Sequence, residues 1–268
     1  MTQRLLTIGG SDPYAGGGIQ TDLKTFENHR VFGLSVLTSI VTNAQADFTI
    51  HSVASELVEA QLHSLAKVSF AAIKIGLLAT LQQVAAVQAF LQTIPATPVV
   101  IDPVMAMKET ATQDNQALLT TMQRELFPFA TLITPNLKEA ELIVGRPLYN
   151  EAQVVTAARQ IAKMAQTAVV IKGGARLSGS EAIDIFATPT TLTTYRKAKL
   201  ATTIENGAGC AFSASIAAQL ATQVPLEQAV VQAKQYVYES IQKGVAVTPD
   251  FGSVWHRGEP IGGEKYGA

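Results

Sequence analysis

The stretch Ala71–Met105, AAIKIGLLATLQQVAAVQAFLQTIPATPVVIDPVM, decides how the rest of the chain is read. Two apolar runs, AAIKIGLL and PVVIDPVM, flank LQQVAAVQAFLQTI, in which apolar residues recur at helical spacing. A strand with no polar alternation is covered on both faces, and a helix between two such strands is the crossover that parallel pairing requires. The rhythm continues in both directions. LLTIGG, GLSVLTSIV, TLITPN and TAVVIKGG read as further strands, and SELVEAQLHSLAKV, QALLTTMQRELF and NEAQVVTAARQIAKMA as further helices. The expected class is therefore α/β, with a mostly parallel central sheet between helical layers. EAIDIFATPTTLTTYRKAKL alternates polar and apolar residues around a Thr-Pro turn, which predicts an antiparallel pair at one sheet edge. AFSASIAAQLA and LEQAVVQAKQYVYESIQKGV close the core as helices, and the tail from Thr248 is expected to be loop, packed on the body or frayed. No repeat, linker or low-complexity block interrupts the pattern, so residues 1–268 are expected to form one domain.

Composition narrows the function. The 268 residues are 47% hydrophobic and 15% charged, enough for one substantial core. A net charge of -1 carries no electrostatic footprint for nucleic acid or an anionic membrane, which leaves a small molecule or another subunit as partner. A single cysteine makes no internal disulfide, MTQRLLTIGG lacks a basic-then-apolar leader, and no apolar run approaches ~20 residues. The expectation is a soluble cytoplasmic protein.

In an open α/β sheet, ligands bind beyond the carboxyl ends of the strands. Asp102 stands at one such end, Asn136 and Glu139 just past the next, and Lys172 at a third, beside Gly173 and Gly174. Each could be an ordinary turn or cap residue, since Asp-Pro and Pro-Asn commonly terminate strands. Together they supply hard oxygen ligands, direct or through water, for Mg²⁺ held with phosphates, and an ammonium for a phosphate oxygen.

Two glycine loops follow the same logic. GGSDPYAGGGIQTDLKTF, residues 9–26, joins a strand to a helix but contains no G-x-G-x-x-G, and the chain has no G-x-x-x-x-G-K-[ST], so dinucleotide and P-loop motifs are absent. Asp22 falls in the first turns of its helix, facing either solvent or a ligand mouth. In ENGAGCAFSASIAAQLA, residues 205–221, Gly207, Ala208 and Gly209 let backbone N–H groups approach a ligand closely at a helix N-terminus. That is an anion hole without a basic side chain, and it would favour thiolate at Cys210. The other reading of Cys210 is a small buried hydrophobe.

GSDPYAGGGIQTDLKTF, IKIGLL, DPVM, TPNLKEAE, IKGG and NGAGCAFSASIAA, in this order over roughly residues 4 to 240, resemble the ribokinase superfamily. The resemblance is to its branch of bacterial pyridoxal/pyridoxine and hydroxymethylpyrimidine (phosphate) kinases. It implies a ribokinase-like three-layer α/β/α sandwich, ATP and Mg²⁺ as phosphoryl donor, and commonly a homodimer; a monovalent cation is left open. By this resemblance Asp102 and Glu139 organise Mg²⁺, and Asn136, Lys172 and Gly173 lie at the phosphates. Gly207, Ala208 and Gly209 form the anion hole, and Cys210 stands where many ribokinase relatives carry the catalytic Asp. Ser11, Asp12 and Asp22 correspond to positions lining the vitamin pocket.

Which vitamin is taken turns on smaller features. Pyrimidine kinases of this branch typically read AQNT after the second strand; here VTNAQADFTIHSV puts Asn43 at the Gln position, and the segment is two residues longer. Its length and His51 are similar to Gram-positive pyridoxal kinases, as is GAGCAFSA. Dual-cysteine pyridoxal kinases carry a second cysteine on a flap after DPVM; the corresponding residue here is Met107, which removes any two-thiol grip on the aldehyde. PYA in the first loop, where relatives have Ser and Gly, either stiffens the loop or fills the pocket with Tyr14. The expected activity is ATP-dependent phosphorylation of the 5′-hydroxymethyl group of pyridoxal, pyridoxine or pyridoxamine, with Cys210 receiving or relaying the hydroxyl proton. Hydroxymethylpyrimidine kinase is the near alternative, and a non-catalytic vitamin or nucleotide sensor the distant one.

Overall fold

The computed structural model describes residues 2–44, 47–94, 96–105 and 113–256. Its elements run β1 (Arg4–Ser11), α1 (Gly18–Asn28), β2 (Phe32–Ala44), β3 (Asp47–Ser52), α2 (Ser55–Ser64), β4 (Ala72–Ile75), α3 (Leu81–Gln92) and β5 (Val99–Ile101). Then follow α4 (Gln113–Glu125), β6 (Leu132–Ile133), α5 (Leu137–Val144), α6 (Glu151–Ala165), β7 (Ala168–Lys172), β8 (Glu181–Ala187) and β9 (Leu192–Ala198). The chain continues through α7 (Ala208–Ala221), α8 (Leu226–Gln242), β10 (Val245–Thr248) and β11 (Phe251–Ser253).

Nine strands form one sheet in the order β3-β2-β1-β4-β5-β6-β7-β8-β9. The six from β2 to β7 pair in parallel, and the expected antiparallel pair β8–β9 extends one edge. The opposite edge departs from expectation: β3 folds back antiparallel on β2, with Thr42 opposite Thr49 and Ile40 opposite His51.

Successive residues of the central strands go to opposite sides, as the two-residue period of a strand dictates. Leu6, Ile73, Ile101, Ile133 and Val169 join Val58, Val84, Leu119 and Ile161 of α2, α3, α4 and α6 in one buried cluster. Leu5, Ala72, Val100, Leu132 and Val170 meet Phe26, Phe212, Ile216 and Val230 of α1, α7 and α8 in the other. Each such side chain, wholly buried, contributes about 1.5–3 kcal/mol from apolar transfer. The result is the expected three-layer α/β/α arrangement.

Helix α7 rests on three of the central strands. Ala211, Ala214, Ala217 and Ala218 are fully buried, and their small size brings its axis against β1, β4 and β5. Beyond α8 the tail packs on the body as one of the two expectations had it, with Val254 and His256 buried, but it is not all loop: β10 and β11 pair antiparallel outside the main sheet. Among the described residues no helix is long and apolar enough to cross a membrane.

Candidate active site

Three parallel strands deliver polar side chains to one end of the sheet. Asp102 follows β5, is 1% exposed, and places Oδ1 2.6 Å from the Lys172 ammonium at the end of β7. Its other oxygen accepts a 3.0 Å hydrogen bond from the Ser213 hydroxyl of α7. Asn136 follows β6 and lies beside Lys172 through a parallel bridge. It also caps α5, its Oδ1 accepting from the Glu139 N–H while Glu139 Oε2 accepts from the Asn136 N–H at 2.8 Å. This is a capping box, so both readings of the residue hold at once. Burial pushes the Glu139 carboxyl up to about 7, against the pull of Lys172, and Asp102 adds to the rise. Burial alone would lower the Lys172 ammonium, but Asp102 and Glu139 hold it above its ordinary value.

Two helix N-termini meet the same spot. Gly207 caps α7 at φ 89°, and Gly17 caps α1, neither with a capping side chain; the Ala208 N–H donates to the Glu205 carbonyl at 3.1 Å, and the Gly18 N–H donates to the Cys210 sulfur. A Cβ on Gly207 would stand 3.6 Å from the Gly16 carbonyl carbon, and one on Gly17 3.6 Å from Cys210 Sγ, which brings the two loops together around the thiol. The expectation that the helix terminus favours thiolate is corrected here. Burial pushes the Cys210 thiol up to about 11; Lys74 pulls it down, but Asp22 and Asp102 push it further up. The helix dipole is outweighed by desolvation and by nearby carboxylates.

A cleft of about 450 Å³ runs from these groups across the sheet edge. Asp102, Asn136, Glu139, Lys172 and the 207–210 segment line its polar end; Leu200, Val237, Tyr238 and Ile241 line its far end. Gly173 lies between, its N–H donating to Asp184 Oδ1 at 3.1 Å, and Asp184 is in turn paired with Lys234 at 2.7 Å. Among the described residues no group of three or more His, Cys, Asp or Glu side chains could hold a metal alone.

The residues that the resemblance assigns to a vitamin pocket have these surroundings. Ser11 accepts from Gln20 Nε2 at 2.6 Å, and Asp12 Oδ1 accepts from the Tyr14 N–H at 2.9 Å, so both shape the first loop. Asp22 faces neither solvent nor the cleft: it is fully buried, 2.8 Å from Lys74 Nζ and 2.6 Å from Thr7 Oγ1. A carboxylate on the inner face of α1 meets a charged strand residue and is neutralised there. Tyr14 does not fill the cleft but packs its ring 5.3 Å from that of Phe251, which stiffens the loop. Asn43 sits on β2 opposite Phe48, its side chain outside the described residues, as is Met107 altogether.

Sequence reading missed three contributors. Lys74 is 1% exposed in the middle of β4, and the signal was available, since a lysine inside a buried apolar strand requires a partner. Ser213 is disguised by the small-residue helix that carries it. Lys234 gives no signal at all, for it reads as the solvated face of α8.

Comparison with known proteins agrees with this geometry. The family model described as phosphomethylpyrimidine kinase matches residues 12–255. A hydroxymethylpyrimidine/phosphomethylpyrimidine kinase of Rhizobium meliloti is 37% identical over 90% of this chain and 91% of its own. Among solved structures, an ADP complex of Bacillus subtilis pyridoxal kinase superposes with a TM-score of 0.90 at 30% identity, covering 96% of this chain and 98% of that one. Staphylococcus aureus pyridoxal kinase in complex with AMP-PCP gives 0.90 at 32%, covering 96% and 94%. Phosphomethylpyrimidine kinase of Clostridium difficile gives 0.75 at 28%, covering 90% and 100%. With most of its length matched by both sequence and structure, the chain belongs to the phosphomethylpyrimidine kinase family, within the ribokinase superfamily.

Proposed function

We propose that the whole chain acts as one catalytic domain that transfers the γ-phosphoryl group of ATP to the 5′-hydroxymethyl group of pyridoxal and its pyridoxine and pyridoxamine counterparts. The observation that carries the choice of vitamin is the extent of the structural likeness: 0.90 over 96% of the chain for the two pyridoxal kinases, against 0.75 over 90% for the pyrimidine kinase. The antiparallel strand β3 falls in the segment whose length already set this chain apart from pyrimidine kinases.

The cleft suits the donor. Its apolar end, with Tyr238 and Ile241, offers a surface to a purine, and its polar end supplies amides and an ammonium to a triphosphate. The nucleotide complexes of the Bacillus and Staphylococcus enzymes support the same donor here. Asp102 and Glu139 fit Mg²⁺: both are oxygen donors on the cleft, and a buried carboxyl at about 7 is one that a cation would hold ionised. Because Glu139 already caps α5, contact through water is the arrangement its geometry favours. When bound, the ion neutralises charge on the phosphates.

Catalysis then rests on positioning and electrostatics. Lys172 holds a phosphate oxygen, and the amides of Gly207 and Gly209, joined by that of Ala208 once it leaves the Glu205 carbonyl, face charge that builds on the transferring group. Cys210 takes the hydroxyl proton as thiolate, a minor species for a thiol at about 11. A second copy of the chain is part of the proposal, on the strength of the family resemblance.

The pyrimidine alternative draws support from the Rhizobium relative and the family model. ADP release measured against pyridoxal, pyridoxine, pyridoxamine and hydroxymethylpyrimidine separates the readings. A kcat/KM at least tenfold higher for a B6 vitamer is expected; preference for the pyrimidine overturns the choice, and vitamin binding without ADP release returns the sensor.

A further inference from the structure

The β10–β11 hairpin lines no part of the catalytic cleft, yet it touches both glycine loops that do. The Asn206 side chain donates to the Gly252 carbonyl at 2.7 Å, and the Val254 N–H donates back to the Asn206 carbonyl at 2.9 Å. Asn206 thus pairs with Ser253 as a parallel bridge immediately before the anion hole. On the other side, the Ser253 hydroxyl donates to the Tyr14 carbonyl at 3.1 Å, and Phe251 packs on the Tyr14 ring. The backbones are in close fit as well. A Cβ on Gly16 would lie 2.5 Å from Phe251 Cζ, and one on Gly207 3.2 Å from Val254 Cγ2.

The hairpin is itself anchored. The Trp255 N–H donates to the Ser240 carbonyl at 3.1 Å, and His256 Nδ1 lies 3.3 Å from Thr25 Oγ1 and 3.2 Å from the Tyr236 hydroxyl, which fixes the end of the clasp to α8 and α1. Gly16 and Gly207 belong to different segments of the chain, more than 190 positions apart, and the hairpin bonds to both. A transition-state hole built from two such loops needs their spacing held to a fraction of an ångström, since about 1 Å of misplacement costs on the order of 10²-fold in rate.

We infer that the C-terminal hairpin is a positioning element for phosphoryl transfer, with Phe251 and Val254 holding the Gly16 and Gly207 backbones at the separation the transferring group requires. The inference rests on the proposed role of the 207–209 amides. It makes Phe251 a positioning residue that acts through Gly16, not a catalytic one.

The test uses the full chain with Phe251→Ala, Phe251→Met and, as control, Val247→Ala, whose side chain is 44% exposed on β10. Two readouts are taken: amide hydrogen exchange over residues 14–18 and 205–210, and kcat with KM for ATP, each corrected for folded fraction. For Phe251→Ala, faster exchange in both segments and a kcat 10- to 100-fold lower, at an ATP KM within about threefold, are expected. Phe251→Met, an unbranched apolar side chain of similar reach, restores both, and Val247→Ala changes neither. Unchanged exchange, exchange that quickens with kcat intact, or a kcat loss that Phe251→Met does not recover overturns the inference. A wild-type chain that turns over no vitamin overturns the kinase reading instead, and with it any role in transfer, while the exchange arm still reports whether the clasp holds the loops.

Discussion

Lys74 and Asp22 form a charged pair with almost no access to water, 1% and 0% exposed, and 2.8 Å apart. Burial alone would drive the Lys74 ammonium toward neutrality, and the Asp22 carboxylate, with smaller help from Cys210 and Asp102, holds it above its ordinary value; burial likewise lifts the Asp22 carboxyl, with Lys74 offsetting part of the rise. One Asp22 oxygen accepts from Thr7 and Lys74, while Oδ1 is buried without a hydrogen-bond partner. Removing one member therefore leaves a charge stranded in an apolar core, a loss of about 3–5 kcal/mol. In a domain whose whole stability is about 5–15 kcal/mol, Lys74→Met should lower the melting temperature by roughly 6–20 °C. Asp22→Leu should do as much. The double variant Asp22→Leu with Lys74→Met removes both charges and should recover most of the loss, since a well-packed apolar pair is often no less stable than a buried ion pair. The coupling energy from the four proteins, taken from urea unfolding, is expected at about 3 kcal/mol or more. A coupling under about 1 kcal/mol would refute the reasoning, and so would an Asp22→Leu protein that keeps wild-type stability but loses vitamin binding, because Asp22 would then be a ligand residue rather than a core charge.

Gly207→Ala introduces a Cβ at φ 89°, worth about 1–2 kcal/mol of strain, and sets it 3.2 Å from Thr21 Oγ1 and Val254 Cγ2. The anion hole must shift, so kcat should fall about 10²-fold, whereas Gly145→Ala, strained at φ 71° but open on all sides, should lose stability alone; equal kcat in the two variants would remove the hole from the mechanism. For Cys210, a thiol at about 11 is only ~10⁻⁴ ionised at pH 7, so kcat should climb about tenfold per pH unit between 7 and 9. Cys210→Ala should lose that slope together with most turnover, and a flat wild-type profile would take the proton away from Cys210. Burial holds His29 and His256 down at about 4, with Lys24 adding to the effect at His256. Between pH 6.5 and about 4 the unfolded chain binds protons that the fold refuses, so stability present above 6.5 is lost on acidification, by up to about 3 kcal/mol per histidine. Urea midpoints at pH 7.5 and 5.0 check this; equal midpoints would mean that both rings already meet water.

The central strands were legible because burial on both faces leaves a run of apolar residues with no alternation to confuse. Edge strands obey a different rule, which is why β8 and β9 could be read from their alternation around a Thr-Pro turn, while β3 was hidden in a segment read for its length, Asn43 and His51 rather than for its pairing. Residues at the strand ends were found by position: Asp102, Asn136 and Lys172 follow β5, β6 and β7 wherever those strands stop, and parallel register then brings them within bonding distance. Position on a helix was a weaker guide. Asp22 was correctly placed in the first turns of α1, but which of its faces meets the sheet depends on where β4 lies, and that is a property of the sheet order rather than of the local sequence. Long-range polar partners were beyond reach for the same reason. Nothing near Asp102 in the chain points to Ser213, 111 positions away, and nothing near Gly16 points to Phe251.

The monotonous composition of α7 has a physical reason that joins these observations. A helix carries its anion-binding capacity in its first turn, and the effect fades beyond it, so the N-terminus must sit at the strand ends if it is to act on a ligand held by Asp102 and Lys172. To get there, α7 has to pass between α1 and α8 while resting on β1, β4 and β5. Side chains larger than alanine and serine along Ala211, Ser213, Ala214, Ala217 and Ala218, all 0% exposed, would lift the axis away from the sheet. The small residues that look like filler thus set the depth of Gly207–Cys210 in the cleft, and one of them, Ser213, uses that closeness to reach the carboxylate of Asp102. Depth is set from the sheet side by α7, and spacing between the loops from the outer side by the β10–β11 hairpin. The amides need both, because a hole of the right width placed too far from Lys172 would meet no phosphate, and one at the right depth with loose walls would not hold it.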